Sequence, residues 1–136
     1  MEVLKYIFHP SRIIKIVEWA KMKRKFKSVG ENCKIGLNFS IVGPEDITIG
    51  NDFVGGDNIS LWAWENYNGR KRSQRPNLII GDKVTVTSNC VITCANKVTI
   101  GDGVLMGRGT FITDNSHGKN ESVEELKIPP NSRELY

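Results

Sequence analysis

The chain has 136 residues, 39% of them hydrophobic and 25% charged, with a formal net charge of +4. That length supports one modest globular core and excludes a multidomain machine. No stretch approaches the roughly 18 uninterrupted apolar residues of a membrane-spanning helix, and the N-terminus lacks a signal peptide's short apolar run and small-residue cleavage site, so the chain reads as cytoplasmic.

The charge is uneven. Residues 1–28 carry eight Lys/Arg against two Glu, a balance of +6 that leaves −2 for residues 29–136. After His9-Pro10, Ser11 is the expected N-cap of a basic amphipathic helix. Ile13, Ile16, Val17 and Ala20 recur at helical spacing, with Trp19, Met22 and Phe26 as a second apolar line. Such a helix is expected to dock its apolar stripe on its own domain or on a sister subunit. Contact with a membrane surface is the less favoured reading. A nucleic-acid partner is not expected, because the Lys/Arg run at 21–27 carries no recognition motif.

From residue 29 to the end the chain forms a second unit in which a six-residue period replaces the helical one. Its slots are Val29, Ile35, Ile41, Ile49, Gly55, Leu61, Ile80, Val86, Ile92, Ile100, Met106 and Ile112. Eleven of the twelve are large aliphatics, although Val, Ile, Leu and Met make up only about a quarter of the chain. Gly30, Gly36, Gly50, Gly56, Gly81, Gly101 and Gly107 directly follow slots, which suggests backbone torsions that residues with side chains resist. Asn and Asp cluster just beyond them, as turns prefer. Four residues after many slots stand further apolar or compact side chains, among them Phe53, Ile59, Val84 and Cys90.

Each hexad thus predicts a short strand and a corner, and three hexads make one triangular coil. About four coils stack with parallel strands, each covering a face its neighbour cannot bury alone. Two stretches break the period and are expected as external loops, at 62–77 and 113–136. Cys33, Cys90 and Cys94, odd in number and without metal-type spacing, read as reduced, buried small hydrophobes.

The phrases Ile49-Gly50-Asn51-Asp52, Ile80-Gly81-Asp82-Lys83 and Ile100-Gly101-Asp102-Gly103, each followed by hexads, resemble the hexapeptide-repeat acyltransferases. The segment from Asn89 to His117-Gly118 is most similar to the galactoside, maltose and capsular-polysaccharide O-acetyltransferase branch. The resemblance covers roughly residues 29–118 and implies a mainly β fold, a left-handed parallel β-helix preceded by an N-terminal amphipathic α-helix. Left-handedness comes from the resemblance alone, since the general rule for parallel crossovers predicts the other hand. The resemblance further implies an acetyl-coenzyme A co-substrate, a sugar or glycan-precursor acceptor, and a homotrimer with sites between subunits.

Acetyl transfer to a hydroxyl requires a base, and a neutral imidazole near pH 7 suits the task. His117 stands where the chain leaves the repeat; spacing alone reads it as an exposed histidine at a polar turn, and the resemblance implies that it is the base, because the family's catalytic histidine ends a similar phrase at this point. Asp114 and Asn115 are candidates to orient its ring or touch the acceptor, with turn capping as the alternative. The resemblance carries Asn89 over as an acceptor-side residue, while Thr87 departs from the amide common there. Gly107 aligns with the position whose main chain approaches the pantetheine arm, where a backbone N–H could stabilise charge on the thioester oxygen; an ordinary corner glycine is the other reading. In the first loop, Trp62 and Trp64 offer flat faces to sugar C–H groups. Arg70, Lys71, Arg72 and Arg75 could attract an acidic or phosphorylated acceptor, or merely form a solvated surface.

Complete relatives return to the stack for more coils that carry outer coenzyme A contacts, so a chain stopping at Tyr136 reads as truncated, with activity in question. The competing function is a catalytically silent β-helix that binds a glycan or a protein partner. A zinc-dependent carbonic anhydrase of the same fold is excluded, because its three histidines are lacking in the repeat region. No metal is expected. The acceptor's identity, and acetyl against a longer acyl group, stay open.

Overall fold

Six-residue spacing of inward aliphatics forces the chain to turn after every few extended residues, and the architecture follows from that. A computed structural model describes residues 10–119 and 121–136. Helix α1 (Pro10–Met22) opens the described chain and passes into a 3₁₀ turn at Lys23–Lys25. Proline is its first helical residue, where a fixed φ helps and a missing N–H costs nothing, so Ser11 lies inside the helix and not at its N-cap.

Twelve strands then visit three sheets in rotation. The first sheet holds β1 (Ser28–Val29), β4 (Ile47–Ile49), β9 (Asn77–Ile80) and β12 (Lys97–Ile100). The second holds β2 (Lys34–Ile35), β5 (Val54–Gly55), β10 (Thr85–Val86) and β13 (Leu105–Met106). The third holds β3 (Ser40–Val42), β6 (Ser60–Ala63), β11 (Val91–Cys94) and β14 (Phe111–Thr113). All pairings within these sheets are parallel. The slots fall into register in three columns: Val29, Ile49, Ile80, Ile100; Ile35, Gly55, Val86, Met106; and Ile41, Leu61, Ile92, Ile112.

The core lies between the sheets. Ile49, Leu61, Ile80, Val86 and Ile92 are fully buried there with Phe53, Ile59, Val84 and Cys90 from the second inward set. Gly55, the one slot without an aliphatic, has its space filled by neighbours: a Cβ there would lie 2.7 Å from Ile59 and 3.1 Å from both Phe53 and Ile35. Cys33 is half-buried, Cys90 and Cys94 are buried, and all three are free.

The glycines after the slots act differently from their sequence expectation. The left-handed torsions fall at the third residue past the slot, on Asn32, Asn38, Asp52, Asn58, Lys83, Asn89, Gly103 and Gly109. What the slot-following glycines provide is close approach: a Cβ on Gly30 would come within 2.6 Å of the Asn51 backbone, and one on Gly81 would strike the Asp102 carboxylate. Those turn residues also hydrogen-bond the preceding circuit. Asn51 accepts from the Glu31 N–H (2.9 Å), Asp57 from Leu37 (2.7 Å), Asp82 from Asn51 (2.7 Å) and Asp102 from Asp82 (2.8 Å). The turn chemistry therefore also bonds one circuit to the next.

Helix α1 covers the first circuit through its second apolar line, not through Ile13, Ile16 and Val17. Trp19 and Phe26 are buried and Met22 is half-buried against the core. The indole meets Phe26 and Phe39 edge-on at 5.8 and 6.1 Å and donates to the Cys33 carbonyl (3.3 Å). Large rings reach the terminal core side chains and bury more area than a β-branched residue could. No helix among the described residues is long and apolar enough to cross a membrane.

Two excursions leave the stack. After β6 the chain makes an antiparallel hairpin of β7 (Asn66–Tyr67) and β8 (Arg70–Lys71), turning at Asn68-Gly69 with φ of 50° and 72°, the paired positive torsions of a tight hairpin turn. After β14 it runs through α2 (Val123–Lys127), where Ser122 caps the helix by accepting from the Glu125 N–H (3.1 Å). The end then folds back beside the segment after β14. Ser116 and Tyr136 exchange backbone hydrogen bonds at 2.8 and 3.0 Å, and His117 bridges Leu135.

Candidate functional site

The parallel register of β11 and β14 places Asp114 one step beyond the end of β14, beside the corner that follows Cys94. Its carboxylate accepts three backbone N–H groups, from Ala95 (2.6 Å), Asn96 (2.8 Å) and Lys97 (2.7 Å). Burial would raise the Asp114 pKa, but these N–H groups and the Asn115 amide outweigh it and hold the carboxyl below its ordinary value. Asp114 is thus committed to main chain and anchors the point where the second excursion departs. Asn115 donates to Asp114 (3.2 Å) and to the Thr93 hydroxyl (3.5 Å). Neither side chain is the partner of the imidazole. Nearby, burial pushes the Cys94 thiol up to about 11, which keeps it protonated and unsuited to nucleophilic work.

The partner of His117 is Tyr67, fifty residues earlier in the β7–β8 hairpin. The Tyr67 hydroxyl lies 2.9 Å from His117 Nδ1, and the ring centroids are 5.5 Å apart. His117 itself is solvent-exposed, and among the described residues its Nε2 has no hydrogen-bond partner. The Nδ1 contact has two tautomeric readings with opposite consequences. If Tyr67 donates, Nε2 carries the proton and is no base; if Nδ1–H donates to the phenol oxygen, the Nε2 lone pair faces solvent and accepts protons.

Tyr67 ends a line of aromatic rings. Trp62 meets Trp64 edge-on at 5.8 Å, Trp64 meets Tyr67 at 6.5 Å, and Tyr67 meets His117. The indoles are fixed to the outer face of the third sheet, Trp62 Nε1 donating to Ser40 (3.0 Å) and Trp64 Nε1 to Thr93 (2.8 Å). Both are half-buried.

A cavity of about 540 Å³ opens between the hairpin and the returning C-terminal segment, with Tyr67, Arg70, Arg72 and Arg133 among its walls. His117 lies next to this cavity through Tyr67 but does not line it. Arg72 is spent on the fold: it donates to the Ala95 and Leu135 carbonyls and to the Asn96 side chain, pinning the hairpin to both the stack and the chain end. Lys71 pairs with Glu65 (2.9 Å), and that hydrogen bond lowers the Glu65 pKa. Arg75 pairs with buried Asp46. Arg70 is the guanidinium of this group that stays exposed at the cavity without a partner among the described residues.

Asn89 and Gly107 stand elsewhere on the chain. Asn89 accepts from Asn58 (3.0 Å), which accepts from Asn38 (3.3 Å), a ladder of stacked amides at the corner before the third sheet. Thr87 donates to the Met106 carbonyl (2.8 Å). In the preceding circuits the residues equivalent to Gly107 donate their N–H upward, Gly36 to Gly55 (2.9 Å), Gly56 to Val86 (2.7 Å) and Thr87 to Met106 (3.1 Å). The Gly107 N–H has no such acceptor among the described residues, and a Cβ built there meets nothing within 4 Å. Both residues belong to the corner where strands of the third sheet begin, whereas His117 follows the corner where β14 ends. Residues 110–113, which include the three of β14, separate the two corners by roughly 13 Å of extended chain.

Tyr67 was missed by sequence reasoning, which treated residues 62–77 as one loop. Asn68-Gly69, the strongest short hairpin signal, would have shown that Tyr67 and Arg70 pair across a turn. Nothing in the sequence shows that the hairpin reaches His117. Comparison with family models, with curated proteins and with solved structures returns no match for this chain.

Proposed function

We propose that the three rotating sheets form a left-handed parallel β-helix and that the protein is an acetyl-coenzyme A-dependent O-acetyltransferase acting on a hydroxyl of a sugar or glycan precursor. The observation that carries this reading is the exposed His117 imidazole, held at Nδ1 by Tyr67 beside a cation-walled cavity. The three register columns support the fold, and the resemblance in the repeat phrases supports the chemistry.

Acetyl-coenzyme A supplies an activated acyl carbon. His117, as the tautomer with Nδ1–H on Tyr67, takes the acceptor's proton at Nε2 while the alcohol oxygen bonds to that carbon. The same proton is then returned to the departing thiolate, so the ring ends neutral. Tyr67, whose hydroxyl can accept as well as donate, is compatible with that tautomer and holds the ring at Nδ1. An open backbone N–H such as that of Gly107 suits an oxygen gaining charge. One chain holds Gly107 before β14 and His117 after it, an arrangement that favours a site shared between copies in a homotrimer over one that uses both groups of one chain. Arg70 is placed to meet an anionic group on either substrate.

The test is thiol release from acetyl-coenzyme A by the purified chain across a panel of free and nucleotide-linked sugars. Acceptor-dependent release supports the reading. Saccharide binding without release at any acceptor replaces it with the silent glycan-binding module.

A further inference from the structure

The N-terminal helix is apolar on two opposite sides. Its docked side holds Trp19 and Met22; the other presents Ile13, Ile14, Ile16 and Val17, which are 46, 56, 66 and 46% exposed. Four large β-branched side chains in water on one short helix form a contiguous patch, and such patches mark interaction surfaces. Lys21, Lys23, Arg24, Lys25 and Lys27 follow at once, all exposed and without an ion-pair partner among the described residues. Aliphatic face and cation cluster adjoin within one turn.

We propose that this face seats the protein on an anionic lipid surface, with α1 lying in the plane of the interface. A 13-residue helix is about 20 Å long, too short to span a bilayer but long enough to bury one face at the headgroup boundary. Charge selects lipid over a second copy of the chain: residues 10–28 hold seven Lys/Arg and one Glu, so two such faces packed together would set like charges side by side. An anionic membrane instead rewards each cation. Docking of the helix on the stack through Trp19 and Phe26 leaves the outward face free to bind without unfolding anything. The inference is independent of the catalytic reading.

The experiment is co-sedimentation of the full chain with vesicles of phosphatidylcholine alone and of phosphatidylcholine mixed with phosphatidylglycerol, at low and high salt. The chain is expected to pellet with the mixed vesicles at low salt and to be released at high salt. Lys23→Gln, Arg24→Gln and Lys25→Gln together should weaken that binding about fivefold per charge, on the order of 100-fold in all. Ile13→Gln, Ile16→Gln and Val17→Gln should abolish it while leaving the thermal transition in place, since these side chains are exposed and lie outside the buried core. Failure of the wild-type chain to pellet, equal binding to neutral vesicles, or full binding by either variant overturns the proposal. So does a smaller particle by light scattering for the glutamine variant of the apolar face, which would assign that face to a subunit contact.

Discussion

Between Ser28 and Thr113, with the hairpin set aside, every residue has an equivalent twenty or thirty-one positions away in the neighbouring circuit. In the two excursions no residue has one. The stack is held by repetition: columns of aliphatics, glycines that allow close approach, and Asn or Asp side chains bonded to the circuit before. The excursions are held by individual bonds, the Arg72 clamp, the Asp114 anchor and the Ser116–Tyr136 pair. The difference separates tasks. Redundant structure tolerates a lost contact, whereas a ring positioned by one hydroxyl and one anchor is specified by few residues and depends on each.

The sharpest way to expose this contrast is at His117. If the imidazole is the base, His117→Ala lowers turnover by about 10²–10⁴ while the thermal transition stays where it was, because the exposed ring supports no core. Steady-state kinetics beside a melting curve checks both halves, and unchanged turnover removes His117 from the mechanism.

Asp114 comes next, with an effect on stability. Its carboxylate accepts three charge-assisted hydrogen bonds, so Asp114→Asn should cost about 1.5–3 kcal/mol at neutral pH. The sign with pH follows from its depressed pKa: the contribution is present above the unfolded carboxyl value and is lost as pH falls through the lower folded value. Denaturant titrations of both proteins should therefore converge in acid. A gap that persists there would assign the loss to packing.

Tyr67→Phe removes the hydroxyl at Nδ1 and keeps the ring. One ordinary hydrogen bond is worth about 0.5–1.5 kcal/mol, which corresponds to roughly a twofold to tenfold loss in kcat/KM. A KM-against-kcat split supplies a second readout, since a ring held for proton transfer loses kcat when its anchor goes. A loss confined to KM would reduce Tyr67 to a packing residue.

The stack was legible in the sequence because its period is local: Val29, Ile35 and Ile41 announce their spacing within thirteen residues, and the register columns follow from counting. The glycine rows were legible too, but not their reason. A close approach between Gly81 and Asp102 is a relation between circuits, and it shows only once the circuits are stacked. The helix hid its docking side because both of its lines are apolar, and only the reach of Trp19 to Phe39 decides between them. The His117–Tyr67 pair was out of reach, since it joins two excursions that share no repeat. His117 was singled out by the resemblance and not by its spacing, which alone suits an ordinary turn histidine, while the choice of Asp114 as a ring partner followed chain proximity, which the main-chain N–H groups of Ala95–Lys97 overrode.

The smallest expected effect is at Gly101, and it is read against Gly81, a glycine that shares its repeat position but not its environment. Gly81 and Gly101 both follow first-sheet slots, at Ile80 and Ile100, and neither adopts a positive φ. A Cβ at Gly81 meets the Asp102 side chain and the backbone of Gly101, whereas one at Gly101 meets nothing within 4 Å. Gly81→Ala should destabilise by about 1–3 kcal/mol, as overpacking does. Gly101→Ala should leave stability within about 0.5 kcal/mol, or raise it slightly by restricting the unfolded chain. Were both substitutions equally costly, the requirement at this position would be torsional, as the sequence first suggested, and close approach between circuits would not be what selects glycine there. Were Gly101→Ala alone costly, something must cover the last circuit in solution, and sedimentation of the two variants would show whether a second copy of the chain is what covers it.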